Sequence, residues 1–571
     1  MVSKEPPAWW RGLCWLLPGL ERMAGYRRAW WKYDLAAGLS VAAIALPVGI
    51  AYADLADVPP VVGMYSAIFP LIVYAFIGSS RQLMTGPDAA TCVITAASLG
   101  ALAGGDGERY LALLMVLTLL TGLVYLAAGV LRLGFIANFL SQPILTGYLN
   151  GIALLIIVSQ LPKLFGVAGD SAKFFEGIWH FAEQLGQTNA VTLVMGLILL
   201  AVLVAFRVWL PRWPAPLVVV VLGIGVVFFF GLEARNVEVL GHVPAGLPSF
   251  HWQVFAGSEY LTLLRDALGI GLVSFTSGIL TAKSFARRNR YDLDANRELS
   301  AYGASNLVTG LLSGYPVTGA DSRTAVNDAM GGKTQVTGLV AAGAMLLILF
   351  FLTQPLAYVP QAALAAVIIV AAVGLFDLKS WVKLFRISHL EFAFSVGTTL
   401  GVLVLGVLPG VLLAVLLTVL NLLREIATPH ATVLGRVKEL SKSFHSLEDY
   451  PDAKTYPGLL LFRFESSLVF FNAEHFQAKL KEAVVASDPK PKWVIVDAST
   501  INLVDLTAVE KIDELRAELQ EAGIRFGFAH LRQDTAVLFR RAGVLERIGP
   551  DYLFPSLTAA VKRYKHLGLE Q

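Results

Sequence analysis

The chain has 571 residues, of which 56% are hydrophobic and only 15% charged. An average soluble domain carries about 25% charged residues, so this composition excludes a water-soluble globular fold and defines an integral membrane protein. The net charge of +3 gives no reason to expect nucleic acid, and two cysteines, Cys14 and Cys92, are too few and too far apart for a disulfide framework or a zinc site.

Residues 1–33 mix Lys4, Arg11, Arg22, Arg27, Arg28 and Lys32 with Trp9, Trp10, Trp15, Trp30 and Trp31 and lack a continuous apolar run. This is the pattern of an interfacial segment resting on lipid headgroups rather than of a cleaved signal peptide. Crossing the hydrocarbon takes about 20 apolar residues in a helix. Runs of that kind are predicted at 34–55, 61–78, 87–104, 110–131, 143–165, 190–208 and 214–231, and again at 262–284, 295–313, 321–331, 335–353, 361–377, 388–408 and 409–428. Seven plus seven predicts a duplication, 34–232 and 255–430, and an odd number of spans per copy inverts the second copy in the membrane. The stretch from Lys173 to Gln187 reads as amphipathic and surface-lying.

Orientation follows from the basic residues. Arg81, Arg132, Arg207, Arg212, the cluster Lys283, Arg287, Arg288 and Arg290, and Lys379, Lys383 and Arg386 fall on one side. Asp54, Asp57, Asp106, Glu108, Glu233 and Glu238 fall on the other. The positive-inside tendency then places both termini in the cytoplasm, with the spans in a plasma (inner) membrane. Beyond residue 431 the composition becomes that of a soluble α/β domain: 459–464, 493–496 and 525–529 read as strands, 474–486 and 507–522 as helices.

Each hydrophobic half carries one short polar motif, Thr85-Gly86-Pro87-Asp88-Ala89-Ala90-Thr91 and Thr318-Gly319-Ala320-Asp321-Ser322-Arg323-Thr324. They open the third and tenth runs, of which 321–331 is too short and too polar to cross lipid alone. Helix breakers at matching places in two membrane repeats mark discontinuous helices, whose positive amino-terminal ends meet near mid-membrane and hold a substrate between them. Irregular backbone at that depth must face protein or a water-filled cavity.

Further motifs resemble the sulfate permease (SulP) family of anion transporters. They are Ala45-Leu46-Pro47-Val48-Gly49-Ile50-Ala51-Tyr52-Ala53-Asp54-Leu55, Val58 to Ser66, Leu293 to Leu299 with Gly303 and Asn306, Tyr315-Pro316, and Ser322-Arg323 with Gly331 to Gln335. The likeness includes a carboxyl-terminal STAS domain at 431–571, where Val496 to Ser499 and Val504 to Ala508 resemble its strand–turn–helix start. The resemblance implies a polytopic α-helical membrane protein of fourteen spans, as two inverted seven-helix repeats forming a core and a gate domain, followed by a cytoplasmic α/β STAS domain. It implies secondary transport of a small anion, sulfate, bicarbonate or a dicarboxylate, by a homodimer. It places the substrate among Tyr52, Thr85, Gly86, Pro87, Asp88, Ala89, Ser277, Asp321, Ser322, Arg323 and Thr324.

Three departures from the family pattern involve four positions. Val48 stands where a polar residue is common, Ser277 where the eighth span often has a carboxylate, and Asp88 and Asp321 where neutral residues are expected. Two ionised carboxylates at the helix mouths would weaken the field that attracts an anion, so Asp88 and Asp321 are candidates for proton coupling. The alternative is that they cap their own helices and pair with Arg323. Arg323 either attracts the anion or balances Asp321. Thr507 is a candidate phosphorylation site in the STAS domain or, with Asp505, part of a helix cap. The segment from Asn327 to Thr334 ends like a phosphate loop but lacks its leading glycine and its strand, so nucleotide binding is discounted. No metal or cofactor motif and no enzyme constellation is present; membrane lipids and a cytoplasmic partner of the STAS domain are the other expected partners. An uncoupled anion channel and a membrane sensor signalling through the STAS domain are the alternatives.

Overall fold

The protein is described from a computed structural model covering residue 19 and residues 25–135, 141–168, 174–210, 213–248, 255–437 and 443–569. Most of the expected interfacial segment before residue 25, with Cys14, and also Lys173 and Arg212, lie outside the described residues. The chain forms two compact units, 1–416 and 417–571.

The first unit is helical. Its elements are α1 (Trp31–Leu55), α2 (Pro60–Ile77), β1 (Thr85–Gly86), α3 (Ala89–Ala103), α4 (Gly107–Val130), α5 (Gln142–Phe165), α6 (Phe174–Gln184), α7 (Ala190–Trp209) and α8 (Ala215–Phe230). There follow α9 (Gly257–Arg288), α10 (Ala295–Leu311), β2 (Thr318–Gly319), α11 (Asp321–Ala329), α12 (Val336–Phe351), α13 (Gln361–Leu375), α14 (Leu378–Ile387), α15 (His389–Leu405) and α16 (Val407–Ala427), within which the boundary between the units falls. Among the described residues eight helical segments are long and apolar enough to cross a membrane, while α3, α8, α12 and α15 are apolar but shorter. The amphipathic stretch forms α6 as expected. A second one, α14, lies where the sequence reading saw only a basic connection through Lys379, Lys383 and Arg386.

Two packing groups are evident: α1 to α4 associate with α9 to α12, while α5 and α7 pack on α13, and α5 also on α15. Buried polar side chains fix the first group. Glu298 of α10 is fully buried and accepts from the Tyr74 hydroxyl (2.6 Å), the amides of Ser79 (2.9 Å) and Ser80 (3.1 Å), and the Ser79 hydroxyl. It thereby ties α10 to the chain leaving α2. Asn306 acts as an extra strand residue, donating to the Val317 carbonyl and accepting from the Val317 amide, both at 2.9 Å. The loop that imitates a phosphate loop is already occupied from within. Asp34, fully buried on α1, accepts from the amides of Lys333 (2.6 Å) and Thr334 (3.2 Å) and the Thr334 hydroxyl (2.7 Å). Buried carboxylates are tolerated in low dielectric when donors surround them in this way.

The second unit carries β3 (Ala431–Arg436), β4 (Phe444–Ser446), β5 (Leu459–Phe464), α17 (Ala473–Ala486), β6 (Trp493–Asp497), α18 (Leu506–Glu521), β7 (Arg525–Ala529), α19 (Gln533–Arg541), α20 (Val544–Ile548), β8 (Leu553–Phe554) and α21 (Leu557–His566). The sheet order is β4-β3-β5-β6-β7-β8, parallel from β5 onward. Phe462, Val494, Val496 and Phe528 face α17 to α20, whereas Leu461, Trp493 and Ile495 face α21. Burial on both faces explains why β5 and β6 are apolar runs legible from sequence. The polar-flanked β3, β4 and β8 were not read from sequence.

Asp497 closes β6, fully buried. Its carboxylate accepts from Arg463 Nε (2.9 Å) and Nη2 (2.7 Å), His530 Nδ1 (2.9 Å) and the Ser499 amide (3.1 Å). Burial alone would raise its pKa, but the bonds from His530 and Arg463 win and hold it below the ordinary 3.8. The stabilisation is therefore present above that value and lost as pH falls through the depressed one. Replacing Asp497→Ala leaves Arg463 without its partner and should lower local stability by about 3 kcal/mol. Hydrogen exchange of the β5–β7 amides in the full chain at neutral pH reads this, and an unchanged exchange rate would contradict it.

Candidate functional site

The two duplicated motifs meet. Thr85 pairs with Gly319 and Gly86 with Thr318 in a two-residue antiparallel ladder, so Thr-Gly of one half faces Gly-Thr of the other about a local twofold. The Ala320 amide extends the pairing to the Met84 carbonyl (2.8 Å), and the Met84 amide donates to Thr324 Oγ1 (3.0 Å). Backbone groups freed by the breaks in the helices are thus satisfied by each other, as the lipid interior demands. From this ladder α3 and α11 begin, so their amino-terminal ends lie side by side.

The two ends differ. Asp88 is the N-cap of α3, its carboxylate accepting from the Thr91 amide (3.4 Å) and hydroxyl (3.5 Å). At α11 the capping position is Ala320, which supplies no side-chain cap. Asp321 is the first residue of α11, and its carboxylate accepts from the Thr281 hydroxyl on α9 instead of from its own helix. Asp321 and Ser322 are exposed, whereas Arg323 and Thr324 are buried. Of the alternative reading, the Asp88 cap is present, but no pairing of Asp88 or Asp321 with Arg323 is found among the described residues. The guanidinium donates through Nη2 to the Pro87 carbonyl, and its Nε and Nη1 are buried without a partner among the described residues.

Gly86 makes room for this group. Its φ of +149° lies where side-chain-bearing residues are rare, and a Cβ there would overlap Arg323 Nη1. The Thr85 hydroxyl is buried and also unpartnered among the described residues. Tyr52 and Val48 are buried on α1, which packs against both α3 and α11. Thr324 spends its hydroxyl on the Ala320 carbonyl (2.6 Å) and the Met84 amide, so it braces the ladder. Ala89 is the first residue of α3, and Ser277 is half-buried on α9.

Residues that the sequence reading did not single out hold the arrangement to α9. Ser274 bonds Thr91 Oγ1 (2.7 Å) and its carbonyl accepts from Thr318 Oγ1 (2.7 Å). Seven residues on, Thr281 takes Asp321. Gly278 between them has no Cβ, which lets α9 touch Gly319 and the Tyr302 hydroxyl directly. The signal was present as hydroxyls repeating every two turns on one helix face, but only a contact with both motifs gives that periodicity a meaning.

A polytopic helical membrane protein in which two short helices start side by side from a paired break is the class this architecture defines. The chain belongs to the sulfate permease family: residues 31–398 match that family and residues 450–560 match the STAS domain. It is 40% identical over 548 residues to "Probable sulfate transporter MT1781" of Mycobacterium tuberculosis, covering 96% of this chain and 98% of that protein. It is 31% identical to "Sulfate transporter 4.1, chloroplastic" of Arabidopsis thaliana, covering 96% and 82%. The murine Solute Carrier 26 family member A9 anion transporter, in the inward-facing state, superposes with a TM-score of 0.90 at 23% identity, covering 99% of this chain and 96% of that one. The transmembrane domain of a cyanobacterium bicarbonate transporter, BicA, superposes with a TM-score of 0.60 at 23% identity over 68% and 98%. At these identities the two structures establish the fold. The family is one of multi-pass membrane transporters of anions and not a class of enzymes.

The substitution Gly86→Ala should displace the Arg323 guanidinium and strain the β1 backbone by about 1–3 kcal/mol. The expected outcome is a lower melting temperature in detergent; an unchanged melting temperature would mean that the close approach of Arg323 to Gly86 is unimportant.

Proposed function

We propose that this protein moves a small inorganic anion, sulfate in the first instance, across the membrane by alternating access, the anion lying against the amino-terminal ends of α3 and α11. The observation that carries the reading is the Arg323 guanidinium, buried with two donor groups unpartnered among the described residues, beside a helix end that lacks a side-chain cap. A buried cation with free donors is stabilised by an anion, and the uncapped amides of α11 point the same way. Thr85 Oγ1 and the exposed Ser322 add hydroxyl donors, and Tyr52 closes the site from α1. The two sulfate-transporter relatives favour sulfate over bicarbonate or a dicarboxylate.

Asp88 gives the reading its coupling. Its ionised carboxylate occupies the α3 amides that an anion would use, so it competes with substrate for the same donors. A proton on Asp88 ends that competition, and anion and proton then bind together, as a symporter requires. Asp321 is the second candidate: its carboxylate rests on Thr281, one helical turn beyond Ser277, where the family often has an acid. The remaining parts of the proposal follow the family: two inverted repeats over 34–232 and 255–430, a cytoplasmic STAS domain over 431–571, and a homodimer in the plasma membrane. Thr507 is exposed in the first turn of α18, behind the Asp505 cap, which accepts from the Ala508 amide (2.9 Å). A phosphate added there would sit at a helix amino terminus, so Thr507 is the regulatory candidate.

Uptake of labelled sulfate, bicarbonate and dicarboxylates into proteoliposomes, with imposed proton and sodium gradients, tests the reading; flux of none of them would reject it. Arg323→Gln should raise KM for the transported anion about tenfold or more, the loss of a charge-assisted hydrogen bond. Asp88→Asn should leave exchange of anion intact while uptake no longer responds to a pH gradient. A mutant that keeps the wild-type pH profile would remove Asp88 from coupling.

A further inference from the structure

α9 is in contact with both half-helices along their length. On the α3 side, Thr91, near the start of that helix, bonds Ser274 (2.7 Å). On the α11 side, Asp321 meets Thr281, and Asp328 meets Arg288 and Asn289 at the end of α9, so α11 runs alongside it in the same direction. Residues 274, 281 and 288 are spaced two turns apart, about 10 Å per step. The two helix beginnings therefore converge on the stretch of α9 between Ser274 and Thr281, and α11 has a second polar tether farther along.

The farther tether of α11 serves no purpose within the helix itself. Asp328 is the penultimate residue of α11, and a carboxylate at a helix carboxyl terminus opposes the helix dipole. Its side chain is nevertheless only 9% exposed, with Oδ2 3.0 Å from Arg288 Nη1 and Oδ1 accepting from Asn289 Nδ2 at 2.8 Å. The neighbouring Asn327 adds a bond from Nδ2 to the Gln82 carbonyl (2.8 Å), just before β1. A helix of nine residues is too short to be stable on its own, so its position depends on such attachments.

We propose that Asp328 is a positioning residue for anion binding: clamped by Arg288 and Asn289 of α9, it holds α11 in the register that aims its first amides and Arg323 at the site. It touches no substrate and acts through the helix. The inference rests on the site assignment above for its transport consequence, while the tether itself is testable without any substrate.

The experiment compares wild type, Asp328→Asn, Arg288→Gln and the swap Asp328→Arg with Arg288→Asp, all as full chains. Hydrogen exchange of amides 324–330, the ones bonded within α11, should rise about tenfold in the two single variants, with α4 and α10 unchanged, and return toward wild type in the swap. In proteoliposomes KM for sulfate should rise about three- to tenfold with maximal rate within twofold of wild type. Unchanged exchange in α11 would overturn the proposal, as would a uniform rise that includes α4 and α10, the mark of general destabilisation. Arg288 is 71% exposed, so its replacement leaves a folded protein on which to read the result. Wild-type protein that transports no anion, together with faster α11 exchange in the variants, would sink the transport reading and leave the tether standing.

Discussion

Everything in the membrane unit is arranged around the antiparallel pairing of Thr85-Gly86 with Thr318-Gly319. Two helices broken inside a hydrocarbon layer leave amides and carbonyls that neither lipid nor side chains can satisfy in number. Pairing one break with the other removes that penalty and simultaneously brings two positive helix ends together. The same constraint explains the small residues around the ladder, since Gly319 and Gly278 allow α9 to approach it without a Cβ on either side. Asn306 and Thr324 finish the edges of a sheet too short to stand alone.

The symmetry of the ladder does not extend to the charges. One helix end carries its own carboxylate as a cap, and the other leaves its amides open with a guanidinium behind them. A site built of two equivalent dipoles would bind an anion without reference to protons. Under the proposed reading, Asp88 on one of them makes the anion's share of the donors depend on the carboxylate's protonation. Asp321, turned toward Thr281, stands clear of the donors of its own helix.

The basic and acidic residues that marked topology have structural work as well. Arg288, one of the basic cluster from which the orientation is predicted, ends in an ion pair with α11. Glu298 and Asp34, both inside motifs or spans, gather donors from chain segments far away in sequence. In each case the carboxylate is buried and surrounded, so it fixes the path of a loop that apolar packing could not specify.

Hydrophobic runs, helix breakers and their repetition were legible because lipid imposes a length and a polarity on every crossing segment, and those constraints act on residues close together in the chain. The expected runs therefore coincide closely with α1 to α5, α7 to α13, α15 and α16, and the duplicated motifs were identifiable before any contact was known. The buried strands β5 and β6 were legible for a similar reason, being apolar on both faces. Which partner Arg323 takes, that Asp88 caps α3 while Asp321 leaves α11 to meet Thr281, and that Ser274, Thr281 and Asp328 bind both half-helices to α9 were decided only by the folded chain. Apart from the Asp88 cap, these are contacts between residues 39 to 236 positions apart in the chain. Local pattern contains no information about which side chain will be within 3 Å once the helices pack.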